Sequence, residues 1–278
     1  TDKATFQAME ALIHNLNTMH SRAGAQIPFS SLNYGTDTSP EGRLVMKNLL
    51  YATERGLGNG ETPIFPIQIF KVKEGVNYNP EDKNYDLYKL SMRVSAKRLF
   101  PNFSFIDAPY NLQYYKPGHP ETEVAYMGCR TRVMGNVYDP DREITYGRGN
   151  LSFTSINLPR LAILSNKNID FFFEQLDRMC DLVVGQLLER FEIQCQKLVR
   201  NYPFLMGQGI WLDSDKLTPN DSVREVLKHG SLTIGFIGLA ECLVVLTGKH
   251  HGESETSQKL GLEIVGEMRK KMNEATEK

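Results

Sequence analysis

The first apolar positions of the chain, Phe6, Met9, Ile13, Leu16 and Met19, fall three and four residues apart and predict an amphipathic helix ending near Ala23-Gly24. The period then changes. Residues 27–35 read as a short strand entered at Pro28, and Ser39-Pro40-Glu41 offers a capping hydroxyl and a first-turn proline for a helix closing at Gly56. Residues 64–70 are apolar at nearly every position, which predicts a strand buried on both faces. Leu87, Leu90 and Val94 mark a helix from Tyr85 to Leu99 that Pro101 stops, and residues 103–108 follow as a strand. Helices and strands that alternate through short connections are the pattern of a parallel or mixed sheet covered by helices.

The next stretch is interrupted by polar and turn-forming residues. Residues 111–122, with Pro117, Gly118 and Pro120, read as a loop, and Gly135-Asn136 as a turn between two strands. Leu151-Ser152-Phe153-Thr154-Ser155-Ile156 alternates, predicting a strand with a hydroxylic face. From Ile169 onward Phe172, Leu176, Cys180, Val183, Leu187, Phe191, Cys195 and Leu198 keep helical spacing and predict the longest helix. The apolar window 232–248 is broken by Gly235, Gly238 and Glu241, so it reads as a buried strand followed by a helix and not as a membrane span. Leu260, Ile264, Met268 and Met272 mark a final amphipathic helix. No repeat, low-complexity tract or linker divides the chain, and residues 1–278 read as one unit.

Composition narrows the function classes. A chain of 278 residues buries about three-quarters of its extended surface, and 41% apolar with 23% charged residues is the balance of a globular protein. The 32 basic and 33 acidic residues leave a net charge of −1, which gives no overall field for nucleic acid or an anionic membrane; any nucleotide site has to be local. The 4 cysteines form no C-x-x-C pair and have no paired histidines nearby, so neither a zinc knuckle nor a secreted disulfide framework is indicated, and a reducing, cytoplasmic setting fits best. The opening residue, Thr1, and the lack of a basic-then-apolar leader fit a piece of a longer chain.

Candidate chemistry concentrates between Tyr126 and Ile163. Gly128 precedes Cys129 and removes a side chain where the backbone would crowd whatever approaches the sulfur. By its neighbours alone Cys129 is either a small structural residue or a reactive thiol whose pKa the adjacent arginines lower, and Met127 reads as core. Asn150 is either a turn residue after Gly149 or a neutral amide able to donate and accept. Ser152, Thr154 and Asn157 either reach a ligand or follow strand alternation, and Asn33, at the end of the first predicted strand, has the same standing. Cys180, Cys195 and Cys242 read as small hydrophobes in helix interfaces. His250-His251 lacks a third ligand, and adjacent histidines point apart on regular structure, so no metal site is read there.

Three ungapped motifs in one order carry a resemblance. Residues 127–132 (MGCRTR), residues 147–160 (GRGNLSFTSINLPR) and residues 56–66 (GLGNGETPIFP), together with the segment 235–254, resemble the anaerobic, class III, glycyl-radical ribonucleoside-triphosphate reductases over most of the chain. The resemblance implies an α/β fold, part of a ten-stranded glycyl-radical-enzyme-type barrel. It implies that Cys129 carries a transient thiyl radical, formed when a glycyl radical on a residue outside this chain takes its hydrogen, and that this thiyl abstracts the ribose 3′ hydrogen. A dry cavity is needed to protect such chemistry. By the same resemblance Met127 contacts the radical sulfur and Asn150 contacts substrate, while Gly128, Ser152, Thr154 and Asn33 are candidate substrate-binding residues. Asparagine at 150 is similar to the formate-using branch, which makes formate the implied co-substrate. The family also implies a homodimer, a radical-SAM activating enzyme and a zinc site outside this chain, with deoxyribonucleotides for DNA synthesis as product. Arg132-Val133-Met134-Gly135-Asn136 only superficially resembles the family's radical-bearing motif, because its tyrosine is absent. Without that motif the chain is expected to be silent alone. Another glycyl-radical enzyme acting on an acid or alcohol, and a non-catalytic nucleotide-binding module, remain open alternatives at this point.

Overall fold

The computed structural model describes residues 1–20, 24–128 and 131–277. They form two compact units, Thr1–Tyr146 and Gly147–Lys278. In the first, α1 (Asp2–Thr18), β1 (Ser31–Tyr34), α2 (Pro40–Arg55), β2 (Ile67–Val72), α3 (Tyr85–Arg98) and β3 (Asn102–Phe105) alternate, and a short pair β4 (Ala125–Met127) and β5 (Thr131–Val133) follows. The strands β1, β2 and β3 lie in that order and are parallel, as the alternation of elements predicts.

Local chemistry sets these boundaries. The Ser39 hydroxyl accepts from the Gly42 N–H at 3.0 Å to open α2, Pro40 takes the first position, and Gly56 closes the helix with φ of 84°. Glycine is required there twice over, since a Cβ on Gly56 would also sit 2.5 Å from the Glu61 carbonyl oxygen. The buried Arg98 guanidinium, to which the sequence pattern gave no role, donates to the carbonyls of Glu54 at 2.7 Å, Arg55 at 2.9 Å and Gly60 at 2.7 Å. It thereby satisfies the orphan carbonyls at the end of α2 and holds the glycine-rich loop against them.

Two expectations shift. Helix α1 stops at Thr18, because the Asn17 amide turns to the loop before β2, its Oδ1 accepting from the N–H groups of Ile64 at 2.8 Å and Phe65 at 3.0 Å. Met19, last member of the apolar stripe, is left 52% exposed. Gly135-Asn136 does not join two strands: β5 ends at Val133 and no strand begins until Asn150. Gly135 is set by the Tyr114 ring, 3.0 Å from where its Cβ would be.

One face of the three-stranded sheet packs on helices through Phe70 and Val72, which meet Met46 and Leu87 with Tyr34, Tyr88 and Phe103. Strand β2 is nearly all buried, as expected, yet it hides a polar chain. The Tyr34 hydroxyl donates to Gln68 Oε1 at 2.7 Å, Gln68 Nε2 donates to the Thr53 hydroxyl at 2.8 Å, and that hydroxyl donates to the Leu49 carbonyl at 2.8 Å. Each buried polar group on this path is satisfied by the next. On the other face Ile67 and Ile69 pack with Phe65 and Tyr126.

In the second unit β6 (Asn150–Asn157) is followed by α4 (Leu158–Ser165), α5 (Ile169–Cys195), α6 (Arg224–Leu227), β7 (Ser231–Ile237), α7 (Leu239–Thr247) and α8 (Glu255–Thr276). Strands β6 and β7 pair in parallel. The expected stripe of α5 is its buried side: Phe172, Leu176, Cys180, Val183 and Leu187 pack with Leu158, Leu161, Leu243, Ile264 and Met268. Helix α4 was not anticipated, although its signals are present: Asn157 Oδ1 accepts from the Arg160 N–H at 3.1 Å, and Pro159 lies in the first turn. Strand β7 is only partly covered, leaving Thr233, Phe236 and Ile237 exposed where burial was expected. Among the described residues no helix is long and apolar enough to cross a membrane.

Candidate functional site

Cys129, the residue expected to carry the chemistry, lies with Arg130 outside the described residues. The segments before and after them are β4 and β5, antiparallel, pairing Ala125 with Val133, Tyr126 with Arg132 and Met127 with Thr131. Asn33, on β1, reaches β4 with both ends of its amide. Nδ2 donates to the Tyr126 carbonyl at 2.7 Å, and Oδ1 accepts from the Tyr126 N–H at 2.9 Å. The Ser31 hydroxyl, two residues earlier on the same face of β1, accepts from the Gly128 N–H at 3.2 Å.

Gly128 has φ of 63°, and nothing lies within 4 Å of where a Cβ would be. The glycine supplies a left-handed backbone, and among the described residues no side chain crowds the position its Cβ would take. Met127 is 37% exposed, not core. Arg132 braces the second strand: its Nη1 donates to the Tyr110 carbonyl at 2.9 Å, and its guanidinium lies 5.3 Å from the centre of the Tyr110 ring.

Glu123, just ahead of β4, ties this region to the sheet. It pairs with Lys71 Nζ at 2.9 Å and Lys73 Nζ at 3.0 Å, both from β2 and its end, and all three side chains are at most one-quarter exposed. Burial by itself would raise the Glu123 carboxyl, but the two ammonium groups outweigh it and hold it below the usual carboxylate range. Burial likewise lowers Lys73, and the carboxylate overcomes this and raises it.

Asn150 lies in the second unit, at the start of β6. A register irregularity separates it from Ser152: Asn150 pairs with Ser231 and Ser152 already with Leu232, so Leu151 is the extra residue of a bulge. The bulge places the three hydroxyl and amide candidates on two different faces. Asn150 Nδ2 donates to the hydroxyl of Thr233, on the open face that also carries Phe153, 69% exposed. Ser152 and Thr154 face α5 instead. Thr154 donates to Gln186 Oε1 at 2.9 Å, and Arg190 Nη1 donates to the Ser152 hydroxyl at 3.2 Å and the Thr154 hydroxyl at 3.3 Å. Sequence alternation alone would have put all three on one face. The partners on α5 had a legible signal, since Gln186, Arg190 and Gln194 recur at four-residue spacing beside the apolar stripe. The bulge had none.

Gly147 and Gly149 at the entry to β6 are also architectural. The Gly147 carbonyl accepts from the Leu212 N–H at 2.6 Å, the Gly149 carbonyl accepts from the Ser231 N–H at 3.0 Å, and a Cβ on Gly147 would stand 3.2 Å from the Ile210 carbonyl.

The remaining cysteines sit in apolar cores, where burial pushes the Cys180 thiol up to about 11 and the Cys242 thiol up to about 12, and raises Cys195 as well. A thiol so disposed is a poor nucleophile or ligand at neutral pH. Both ring nitrogens of His250 are engaged locally, Nδ1 by the Gly252 N–H at 3.0 Å and Nε2 by Glu253 at 3.4 Å, and no group of three potential metal ligands occurs among the described residues.

Comparison with known proteins extends over the same residues. The family model for anaerobic ribonucleoside-triphosphate reductase matches residues 1–278. The anaerobic ribonucleoside-triphosphate reductase of Haemophilus influenzae is 32% identical over 268 residues, covering 95% of this chain and 36% of that protein. That of Enterobacteria phage T4 is 32% identical over 285 residues, covering 100% of this chain and 44% of that protein. The chain therefore spans well under half the length of these relatives. Among solved structures, the anaerobic ribonucleotide reductase of Thermotoga maritima with citrate in its active site superposes with a TM-score of 0.61 at 15% identity, covering 99% of this chain and 48% of that one. At that identity the likeness speaks for the fold, and it agrees with the α/β expectation for part of a glycyl-radical-type barrel. By the full-length family match and the identity to its relatives, the chain belongs to the anaerobic ribonucleoside-triphosphate reductase family.

Proposed function

We propose that these residues are the cysteine-bearing part of a longer enzyme that reduces ribonucleoside triphosphates to 2′-deoxyribonucleoside triphosphates, with formate as reductant. The observation that carries the reading is the family match along all 278 residues, including Met127-Gly128-Cys129 and Asn150. Solved structures of a Thermotoga maritima relative hold dATP and CTP, which supports a nucleotide as ligand.

The residues present suit a radical relay. Gly128 puts no side chain ahead of the cysteine in sequence, and the exposed Met127 thioether is a polarisable group that can meet a sulfur-centred radical. A glycyl radical elsewhere in the longer protein supplies the one-electron oxidising power. Cys129 gives its thiol hydrogen to that radical, takes the hydrogen from ribose C3′, later returns it there and regains its own hydrogen from the glycine, so thiol and glycyl radical are both restored each turn. The 2′ hydroxyl leaves as water after protonation, and formate supplies two electrons and departs as carbon dioxide. Asn150 holds ribose hydroxyls through an uncharged amide that adds no charge to the site.

The whole enzyme is a cytoplasmic homodimer that depends on a radical-SAM activating enzyme, has its zinc site beyond these residues and does not bind nucleic acid directly. These 278 residues alone are silent. In the full-length protein Cys129→Ala is expected to abolish deoxynucleotide formation while leaving the glycyl-radical signal intact. Retained turnover in an anaerobic assay overturns the reading.

A further inference from the structure

We infer that Asn33 and Ser31 form a clamp that positions the cysteine-bearing segment, acting through the backbone of β4 and not on substrate. The inference rests on the proposed reductase activity for its consequence, but the clamp itself stands on geometry.

In an antiparallel pair, alternate residues turn both backbone groups toward the partner strand and the residues between turn them away. Tyr126 sends its N–H and its carbonyl to Asn33 at 2.9 Å and 2.7 Å. A carboxamide presents a donor and an acceptor side by side, as a peptide group does, so Asn33 works as a one-residue extension of the sheet along β4. Aspartate lacks the donor, and serine cannot offer both groups at once with this spacing. Two residues on, the Gly128 N–H is held by Ser31 at 3.2 Å. Met127 is thus gripped between two anchored neighbours, and Gly128 is the residue bonded to Cys129. Both anchors stand on β1, which is itself fixed by its parallel pairing with β2.

Asn33 has spent one donor and one acceptor site on Tyr126, which leaves it poorly equipped as the substrate ligand that its sequence position suggests. Hydrogen-atom transfer depends steeply on approach distance, and misplacement by about 1 Å costs on the order of 100-fold. The clamp therefore bears on turnover more than on binding.

The test uses the full-length protein, activated and with its radical quantified by electron paramagnetic resonance. Asn33→Ala is expected to lower kcat per radical by about 10- to 100-fold with KM for the ribonucleoside triphosphate within about twofold. Ser31→Ala is expected to lower kcat by about three- to tenfold and Ser31→Thr, which keeps the hydroxyl, to restore it. In hydrogen exchange, the Tyr126 and Gly128 amides of Asn33→Ala and Ser31→Ala respectively should exchange at least about tenfold faster, with α2 and β2 unchanged. A raised KM at unchanged kcat overturns the inference in favour of substrate contact, and unchanged exchange at Tyr126 overturns the clamp outright. If the unaltered protein makes no deoxynucleotide, the activity reading fails, and exchange at Tyr126 still decides the clamp: faster exchange in Asn33→Ala upholds it and equal exchange overturns it.

Discussion

Two asparagines at two parallel sheets do different work. Asn33 is on the edge of the three-stranded sheet and spends an amide donor and an acceptor on the Tyr126 backbone. Asn150 is on the two-stranded sheet and donates its amide nitrogen to the Thr233 hydroxyl. The surroundings follow the same division. In the first unit Lys71 and Lys73, at the end of β2, close on Glu123. In the second unit the face shared by Asn150, Phe153 and Thr233 is open. The residue type is the same, and the hydrogen bonds each amide makes differ: Asn33 holds a strand backbone, and Asn150 meets one side-chain hydroxyl on an exposed face.

The comparison can be broken most forcefully at Glu123. Glu123→Ala leaves two lysines crowded in a mostly buried site, and the expected loss is about 3 kcal/mol of stability, reduced from the fully buried case by partial exposure. Urea unfolding of the full-length protein measures it. The pH dependence has a fixed sign. The Glu123 carboxyl titrates lower in the folded state, so its contribution is complete above the unfolded carboxylate pKa of about 4.3 and is lost as pH falls through the lower folded value. Lys73 is raised, so its contribution is complete below about 10.4 and is lost as pH rises through the higher folded value. Glu123→Gln should flatten the acid limb.

Next in size is Asn150→Ala, for which kcat/KM should fall about 30-fold through lost transition-state contacts to ribose, about 2 kcal/mol. Thr233→Val then sharpens the point. It removes the hydroxyl that orients the Asn150 amide without altering strand propensity much, and a fall of about fivefold in kcat/KM is expected, restored by Thr233→Ser. A Thr233→Ser variant as impaired as Thr233→Val would show that packing and not the hydroxyl matters. The smallest effect belongs to Cys242→Ala, about 1 kcal/mol of stability from the lost sulfur, with turnover per folded molecule unchanged.

Much of this was legible in the chain. The Ser39-Pro40 cap and Gly56 exit of α2, the parallel alternation around β2 and the buried stripe of α5 follow from periodicity and capping chemistry that act within a few residues. The motif around Cys129 pointed to the family that the whole-chain match then gave. The rest depends on partners distant in sequence. Nothing near Asn33 announces Tyr126, and nothing near Arg98 announces the carbonyls ending α2. Strand alternation gave Ser152 and Thr154 a common face, and one bulged residue, Leu151, turned Asn150 to the other. A single insertion in register reverses a face, and no local propensity records it.

Equilibrium binding of a ribonucleoside triphosphate to full-length protein carrying Asn33→Ala or Asn150→Ala tests the division between scaffold and binding surface most directly. The account predicts a Kd within about twofold of the unaltered protein for Asn33→Ala and a Kd raised about tenfold for Asn150→Ala, the equivalent of about 1.4 kcal/mol. Weakened binding in Asn33→Ala with none in Asn150→Ala would contradict it.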